Sequence, residues 1–396
     1  MRSELNCAVP LARAGEFSPL RIGALRVDPP VVLAPMAGVT NPPFRRICRA
    51  YGAGLYVSEM ISARALLHGN PATRRLAAFA SDEAPRSAQL YATDPEAAAY
   101  AVAWQIEENG AHHVDLNFGC PVRKVTAAGG GSAIPLKPRL LARIVGAAVR
   151  AAQGRVPVTI KVRKGVDEHL LTYLDAGRVA ESEGAAAIGL HARTAAQLYA
   201  GEADWSAIAA LKAAVSIPVL GNGDIWEAFD ALRMMRETGC DGVIVGRGCL
   251  GRPWLFRELA QAFAGSEPEA PPRLGEIAAL ALHHGKLLEE FMGTHHALLH
   301  LRKWAAWYTK GFPGTAALRE RLNAAASWSD YEAALSAVDP EAEFPASGLR
   351  MRRGKGSSCQ VVSLPPGFLE NRDDDQPYAR AGASCDEADD AAIQGG

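Results

Sequence analysis

Short apolar, β-branched runs alternate with alanine-rich amphipathic stretches from about residue 21 to residue 263. Eight of the runs read as strands: Val31–Leu33, Leu55–Val57, Ala88–Leu90, His113–Leu116, Val158–Val162, Ala187–Leu190, Val219–Leu220 and Gly242–Val245. Their near-continuous apolar character points to strands covered on both faces, as in a parallel sheet. Asn41-Pro42 and Asp94-Pro95 each supply an N-cap followed by proline at the first helical position. Eight βα units in about 240 residues predict an α/β fold, a closed (β/α)8 TIM barrel. An open doubly wound sheet is the runner-up.

The alternation stops at Gly265-Ser266-Glu267-Pro268-Glu269-Ala270-Pro271-Pro272, a linker by composition. The expected organisation is therefore an N-terminal extension (1–20), a barrel (21–263), a linker (264–272) and a small all-helical domain (273–345). Residues 346–396 hold Gly, Ser, Pro and Asp clusters with little periodicity, so a disordered acidic tail is expected there, with a short ordered piece at Val361–Leu369.

The chain has 396 residues, 48% of them apolar, which is ample for a core. No apolar run approaches the roughly 18 residues a membrane span needs, and the first twenty lack the pattern of a secretory signal. Seven scattered cysteines, never in a C-x-x-C pair, argue against a disulfide framework and against a zinc site. The expected setting is a reducing cytoplasm, with no membrane, no metal and a monomeric chain. The net charge is −1, but eight acidic and two basic residues lie from Leu369 onward, which leaves the preceding body at +5. Such a body is compatible with nucleic acid.

Candidate chemistry gathers at the C-terminal ends of the predicted strands, the face where barrels keep their active sites. The stretch Val114-Asp115-Leu116-Asn117-Phe118-Gly119-Cys120-Pro121 reads as a buried strand whose turn presents one cysteine. A lone cysteine is more often a small core residue, but the flanking Asn117 and the run Gly129-Gly130-Gly131 favour a placed thiol. The other strand ends offer Pro35-Met36-Ala37, Gln89, Lys161, His191-Ala192-Arg193-Thr194, Asn222-Gly223-Asp224 and Gly246-Arg247. The last two loops suit a phosphate, since glycines let backbone N–H groups approach an anion and Arg247 adds charge. Gly246 to Gly251 also fits G-x-G-x-x-G, but it follows the last strand, so the dinucleotide reading is rejected. One phosphate site, an apolar platform, an amide and a lysine together describe an FMN site. The pairs His112-His113, His283-His284 and His295-His296 lack ligating partners at metal spacing.

The run Val114 to Ser132, with Lys124, Val125 and Gly131-Ser132 at the expected offsets, resembles the signature of the tRNA-dihydrouridine synthases, closest to their bacterial B-type branch. The resemblance implies an FMN-dependent oxidoreductase that uses NADPH or NADH to reduce a tRNA uridine, in the D loop. Hydride would pass from flavin N5 to uracil C6, with Cys120 donating a proton to C5. An ordinary thiol, with a pKa of about 8.5, keeps its proton at neutral pH. The resemblance assigns Pro35, Met36, Ala37, Gln89, Lys161, His191, Asn222, Gly223, Asp224, Gly246 and Arg247 to FMN. Asn117, Lys124 and Arg193 fall to the substrate or RNA. So do Arg302, Lys303 and Lys310, which lie among Trp304, Trp307 and Tyr308 in a segment suited to phosphate contact and base stacking. That segment has another reading, a helix that buries its aromatics and solvates its charges. Asn41, Ala192 and Ala195 depart from the family pattern, and Ala195 stands where a basic residue often follows. Two other functions compete: a flavin enzyme on a free pyrimidine, like the dihydroorotate and dihydropyrimidine dehydrogenases, and a flavin-bearing tRNA-folding module.

Overall fold

The computed structural model describes residues 2–354, 356 and 358–378. Eight parallel strands close into a barrel: β3 (Val31–Leu33), β4 (Leu55–Ser62), β5 (Ser87–Tyr91), β6 (His113–Phe118), β7 (Val158–Arg163), β8 (Ile188–His191), β9 (Val219–Asn222) and β10 (Gly242–Val245), with β10 pairing back onto β3. The closed barrel excludes the open sheet. Several strands run further at their C-terminal ends than the apolar pattern suggested. Among the added residues, Asn117, Arg163, His191 and Asn222 are polar and keep the ladder while facing the barrel mouth.

A hairpin precedes the barrel, β1 (Leu20–Ile22) with β2 (Leu25–Val27). Too short to register as period-2 runs, these strands escaped the sequence reading. Leu20, Ile22 and Val27 pack with Val32, Leu55, Leu220 and Ile244 in one buried cluster, so the hairpin plugs the barrel. The N-terminal extension lies along the outer helix Ala228–Thr238, where Asn6 Nδ2 donates to Asp230 (2.9 Å) and the Ser3 N–H to Glu227 (2.8 Å).

Helix Leu255–Phe263 ends before the Pro-rich run, and helices Leu274–Met292, Thr294–Tyr308, Ala316–Ala324 and Trp328–Leu335 follow. They dock against the barrel helix Pro42–Ala50. Asn41 caps that helix by accepting from the Phe44 N–H (3.1 Å), and its Nδ2 lies 3.2 Å from His300 Nε2. Phe44, buried on the same helix, meets Trp304 at 4.6 Å between ring centres, and His284 meets Trp304 edge-on at 4.5 Å. Gly251, the last glycine of the rejected fingerprint, explains itself here. Its φ is +66°, and a Cβ would stand 2.3 Å from the Trp307 backbone, so glycine permits the helices to sit this close.

The aromatic segment is corrected by this packing. Trp304 and Tyr308 are buried in the core, which leaves neither a face for stacking a base. Arg302 is exposed and Lys310 half-buried, whereas Lys303 turns inward and donates to the Gly38 carbonyl of the loop after β3. The disorder expected from residue 346 is corrected too. Residues 346–378, where described, lie against the barrel with Leu349, Arg353 and Phe368 buried, a longer ordered run than Val361–Leu369. The acidic remainder, 379–396, falls outside the described residues. No helix among the described residues is long and apolar enough to cross a membrane.

Trp304→Ala removes the largest shared side chain of the barrel–helix junction. It should cost about 3–5 kcal/mol, as other buried Trp truncations do, read as a lower midpoint in urea unfolding.

Candidate functional site

Alternation along each strand decides which residues enter the barrel. On β5, β6 and β7 the apolar residues Leu90, Val114, Leu116, Phe118, Ile160 and Val162 point out under the helices. The intervening positions carry polar groups. In register, Ser87 faces His113, Gln89 faces Asp115 and Asn117 faces Lys161, so three strands build one polar patch inside the mouth.

This patch is wired in one direction. Asp115 accepts from Thr159 Oγ1 (2.6 Å) and from Gln89 Nε2 (2.7 Å). Because the Gln89 amine end is thereby fixed, its carbonyl end accepts from Asn117 Nδ2 (2.8 Å). The Asn117 carbonyl in turn accepts the N–H groups of Gly119 (3.0 Å) and Cys120 (2.9 Å). A buried carboxylate thus sets the orientation of two amides and holds the cysteine loop at its far end. Behind Cys120, its carbonyl accepts the Ser132 N–H (3.1 Å). A Cβ on Gly131 would come within 2.5 Å of that carbonyl, which accounts for the last glycine of the run. Further inside, His113 bridges Ser87 (2.7 Å) and Thr159 (2.9 Å), and burial lowers its pKa to about 4, so the ring is neutral.

A cavity of about 470 Å³ opens at this end of the barrel, within the range of small-molecule sites. Its wall includes every residue assigned to FMN from the sequence: Pro35, Met36, Ala37, Gln89, Lys161, His191, Asn222, Gly223, Asp224, Gly246 and Arg247. Cys120 and Asn117 line it too, and Lys303 and Trp307 reach it from the helices. Cys120 is half-buried and forms no disulfide.

Electrostatically the cavity is cationic. Burial, with Arg163 adding to it and Asp115 opposing, lowers the Lys161 pKa to about 8. Burial, with Arg163, Lys161, Arg193 and Arg247 around it, pushes the His191 pKa well down, so that ring is neutral. Asp115 is raised by burial, against the opposing pull of Thr159, Gln89 and Lys161. Arg247 lies over the rings of Tyr199 (4.2 Å) and Trp226 (5.2 Å), and burial lowers its pKa to about 10.

Four of the sequence assignments change in detail. Arg193, expected at the RNA, is buried: its guanidinium donates to Asp224 (2.7 and 2.9 Å) and to the carbonyls of Ala200 and Gly201. Asp224 is consumed by that ion pair and by the Ala203 N–H (2.7 Å), so its carboxylate orders the loop. Asn222 Nδ2 spans to the Ile244 carbonyl (2.7 Å), tying β9 to β10. Lys124 is exposed outside the cavity. Sequence reasoning missed Asp115, Thr159 and Arg163. Arg163 ties the Gly119 carbonyl (3.1 Å) to those of Thr194 and Leu198 (each 2.9 Å), joining the cysteine loop to the loop after β8. The signal was available as the inward polar rows His-x-Asp-x-Asn and Thr-x-Lys-x-Arg. Among the described residues no group of His, Cys, Asp and Glu could hold a metal ion.

Two outcomes test this arrangement. Asp115→Asn keeps the shape but replaces one of the two acceptor oxygens with a donor, so the network around Thr159 must rearrange and the protein should lose about 1–3 kcal/mol in denaturant titration. For Lys161 the folded pKa lies below the unfolded one of about 10.4. Between these values the unfolded state binds more protons, so the ligand-free protein should gain stability as pH rises from about 8 toward 10. Lys161→Met should remove that slope.

Comparison with known proteins fits this geometry. Residues 32–343 match the dihydrouridine synthase family. A probable tRNA-dihydrouridine synthase of Mycobacterium tuberculosis (strain ATCC 25618 / H37Rv) is 52% identical over 373 residues, covering 91% of this chain and 95% of its own. That of Mycobacterium leprae is 49% identical, covering 87% and 96%. The tRNA-dihydrouridine synthase B of Xanthomonas axonopodis is 40% identical, covering 77% and 91%. The chain belongs to the dihydrouridine synthase family.

Proposed function

We propose that this protein reduces a uridine in the D loop of tRNA to 5,6-dihydrouridine, with FMN bound in the barrel mouth and NADPH or NADH as the reductant. The observation that carries the reading is the one-directional hydrogen-bond chain that delivers the Cys120 loop to the wall of a cationic cavity. Kinship with proteins named as tRNA-dihydrouridine synthases supplies the substrate class.

The residues present fit FMN. Arg193 Nη1 and Arg247 Nη1 are buried without a hydrogen-bond partner, and such orphaned donors are costly unless a ligand completes them. A phosphate between β9 and β10, the usual barrel position, would satisfy both. When bound, FMN supplies hydride to C6 of the uracil ring. Lys161 holds positive charge in the cavity and would favour an anionic ring edge. Gln89 has spent one amide hydrogen on Asp115 and keeps the second for the pyrimidine edge of the cofactor. Asn117 likewise keeps one hydrogen beyond its bond to Gln89, free for a uracil carbonyl.

Cys120 completes the addition. As C6 gains hydride, the C5–C6 π electrons take the thiol proton at C5, and the thiolate regains a proton from solvent. The base must leave its stack to enter the mouth. With Trp304 and Tyr308 in the core, RNA contact falls to exposed cations such as Arg302 and Lys124.

Deleting the gene should abolish a D-loop dihydrouridine, read as a loss of 2 Da per reduced base by tRNA mass spectrometry. In the purified enzyme, Cys120→Ala should leave FMN content and NADPH oxidation within about twofold while tRNA reduction drops by about 10²–10⁴. Equal loss of both half-reactions would remove Cys120 from the chemistry.

A further inference from the structure

The family match ends at residue 343, yet the chain continues across the barrel mouth. Its path is anchored at both ends. The Leu349 carbonyl accepts from the buried Arg252 (2.7 Å), and Arg350 pairs with Glu227 (2.8 Å) and Asp230 (2.9 Å). Beyond the mouth, Phe368 is buried with Ala133, Leu136 and Val166, and Lys137 bonds Asp374 (2.7 Å). Gly354 lines the cavity beside Arg247.

Between these anchors stands Gln360. Its backbone N–H donates to the Ala196 carbonyl (2.8 Å). Its Nε2 donates to two further carbonyls, Pro121 (2.7 Å) and Ala195 (3.1 Å). Two carbonyl acceptors leave no ambiguity about which end of the amide faces them, because only the amine end can donate. Pro121 directly follows Cys120, and Ala195 lies in the loop after β8. The cysteine loop is therefore gripped on both sides: Asn117 holds the N–H of Cys120, and Gln360 holds the next carbonyl. Ala195 is fully buried at this crossing.

We propose that Gln360 is a positioning residue for the Cys120 thiol, and that the C-terminal strap carrying it is a working wall of the catalytic site. The proposal rests on the reading of Cys120 as proton donor. An error of about 1 Å at a reacting group can cost on the order of a hundredfold in rate, so a clamp one residue away has leverage on chemistry.

The test uses the FMN-loaded full chain with Gln360→Ala and Gln360→Glu, the latter similar in size but without N–H donors. Alkylation of Cys120 by iodoacetamide, followed by peptide mass, should accelerate about fivefold or more in both, since the loop loses one of its grips. Single-turnover flavin reoxidation by tRNA should slow about tenfold, mainly in its limiting rate at saturating tRNA. Flavin reduction by NADPH should stay within about twofold. Cys120 alkylation at the wild-type rate would overturn the proposal. So would unchanged tRNA reduction despite faster alkylation, or equal slowing of both half-reactions, which would mark a purely structural strap. If wild-type enzyme fails to reduce tRNA, the proposed function falls, while the alkylation comparison still decides the clamp.

Discussion

The Asp115 carboxylate, buried inside the barrel, accepts from Thr159 and Gln89 and donates to nothing. An amide cannot signal which end is oxygen unless something fixed reads it. Asp115 is that reader, and its preference passes through Gln89 and Asn117 to the Cys120 N–H. Burial of a carboxylate is costly, and the short hydrogen bonds from Thr159 and Gln89, with the nearby charge of Lys161, offset part of that cost. The same low-dielectric surroundings that make the carboxylate costly make the chain stiff. One of the two grips on the cysteine loop is thus set from inside the barrel.

Much of this was legible because strand geometry writes itself as a two-residue period. Apolar residues at 90, 114, 116, 118, 160 and 162 met the helices, and the polar residues between them faced inward. Cys120, Lys161 and the glycine loops were found as strand-end features. Asp115, Thr159 and Arg163 were not, since inside an apolar run a single polar residue looks like noise until its register with neighbouring strands is known. Register is a long-range property, and the sequence states it only through the pairing of several strands at once.

The errors share a cause as well. Trp304 and Tyr308, interleaved with Arg302, Lys303 and Lys310, have the composition of a nucleic-acid surface. Rotation about the helix axis puts the rings on Phe44 and His284 and leaves only part of the charge outside. The segment after residue 345 failed in the opposite direction. It has no period because it forms no regular element, yet scattered anchors such as Arg350, Arg353 and Phe368 fix it on the barrel. Low periodicity reports absence of helix and strand, which is a different property from absence of order.

Glu227 and Asp230 receive Ser3 and Asn6 from the segment before the barrel and Arg350 from the segment after the helices. The cap and one residue of a single outer helix therefore tie the segment before the barrel to the segment that follows the helices. During synthesis the barrel strands emerge long before Arg350 does, so a nascent chain can close its sheet while these acids still await a cation. The strap that follows the helices is therefore anchored onto a barrel whose sheet and outer helix are already in place.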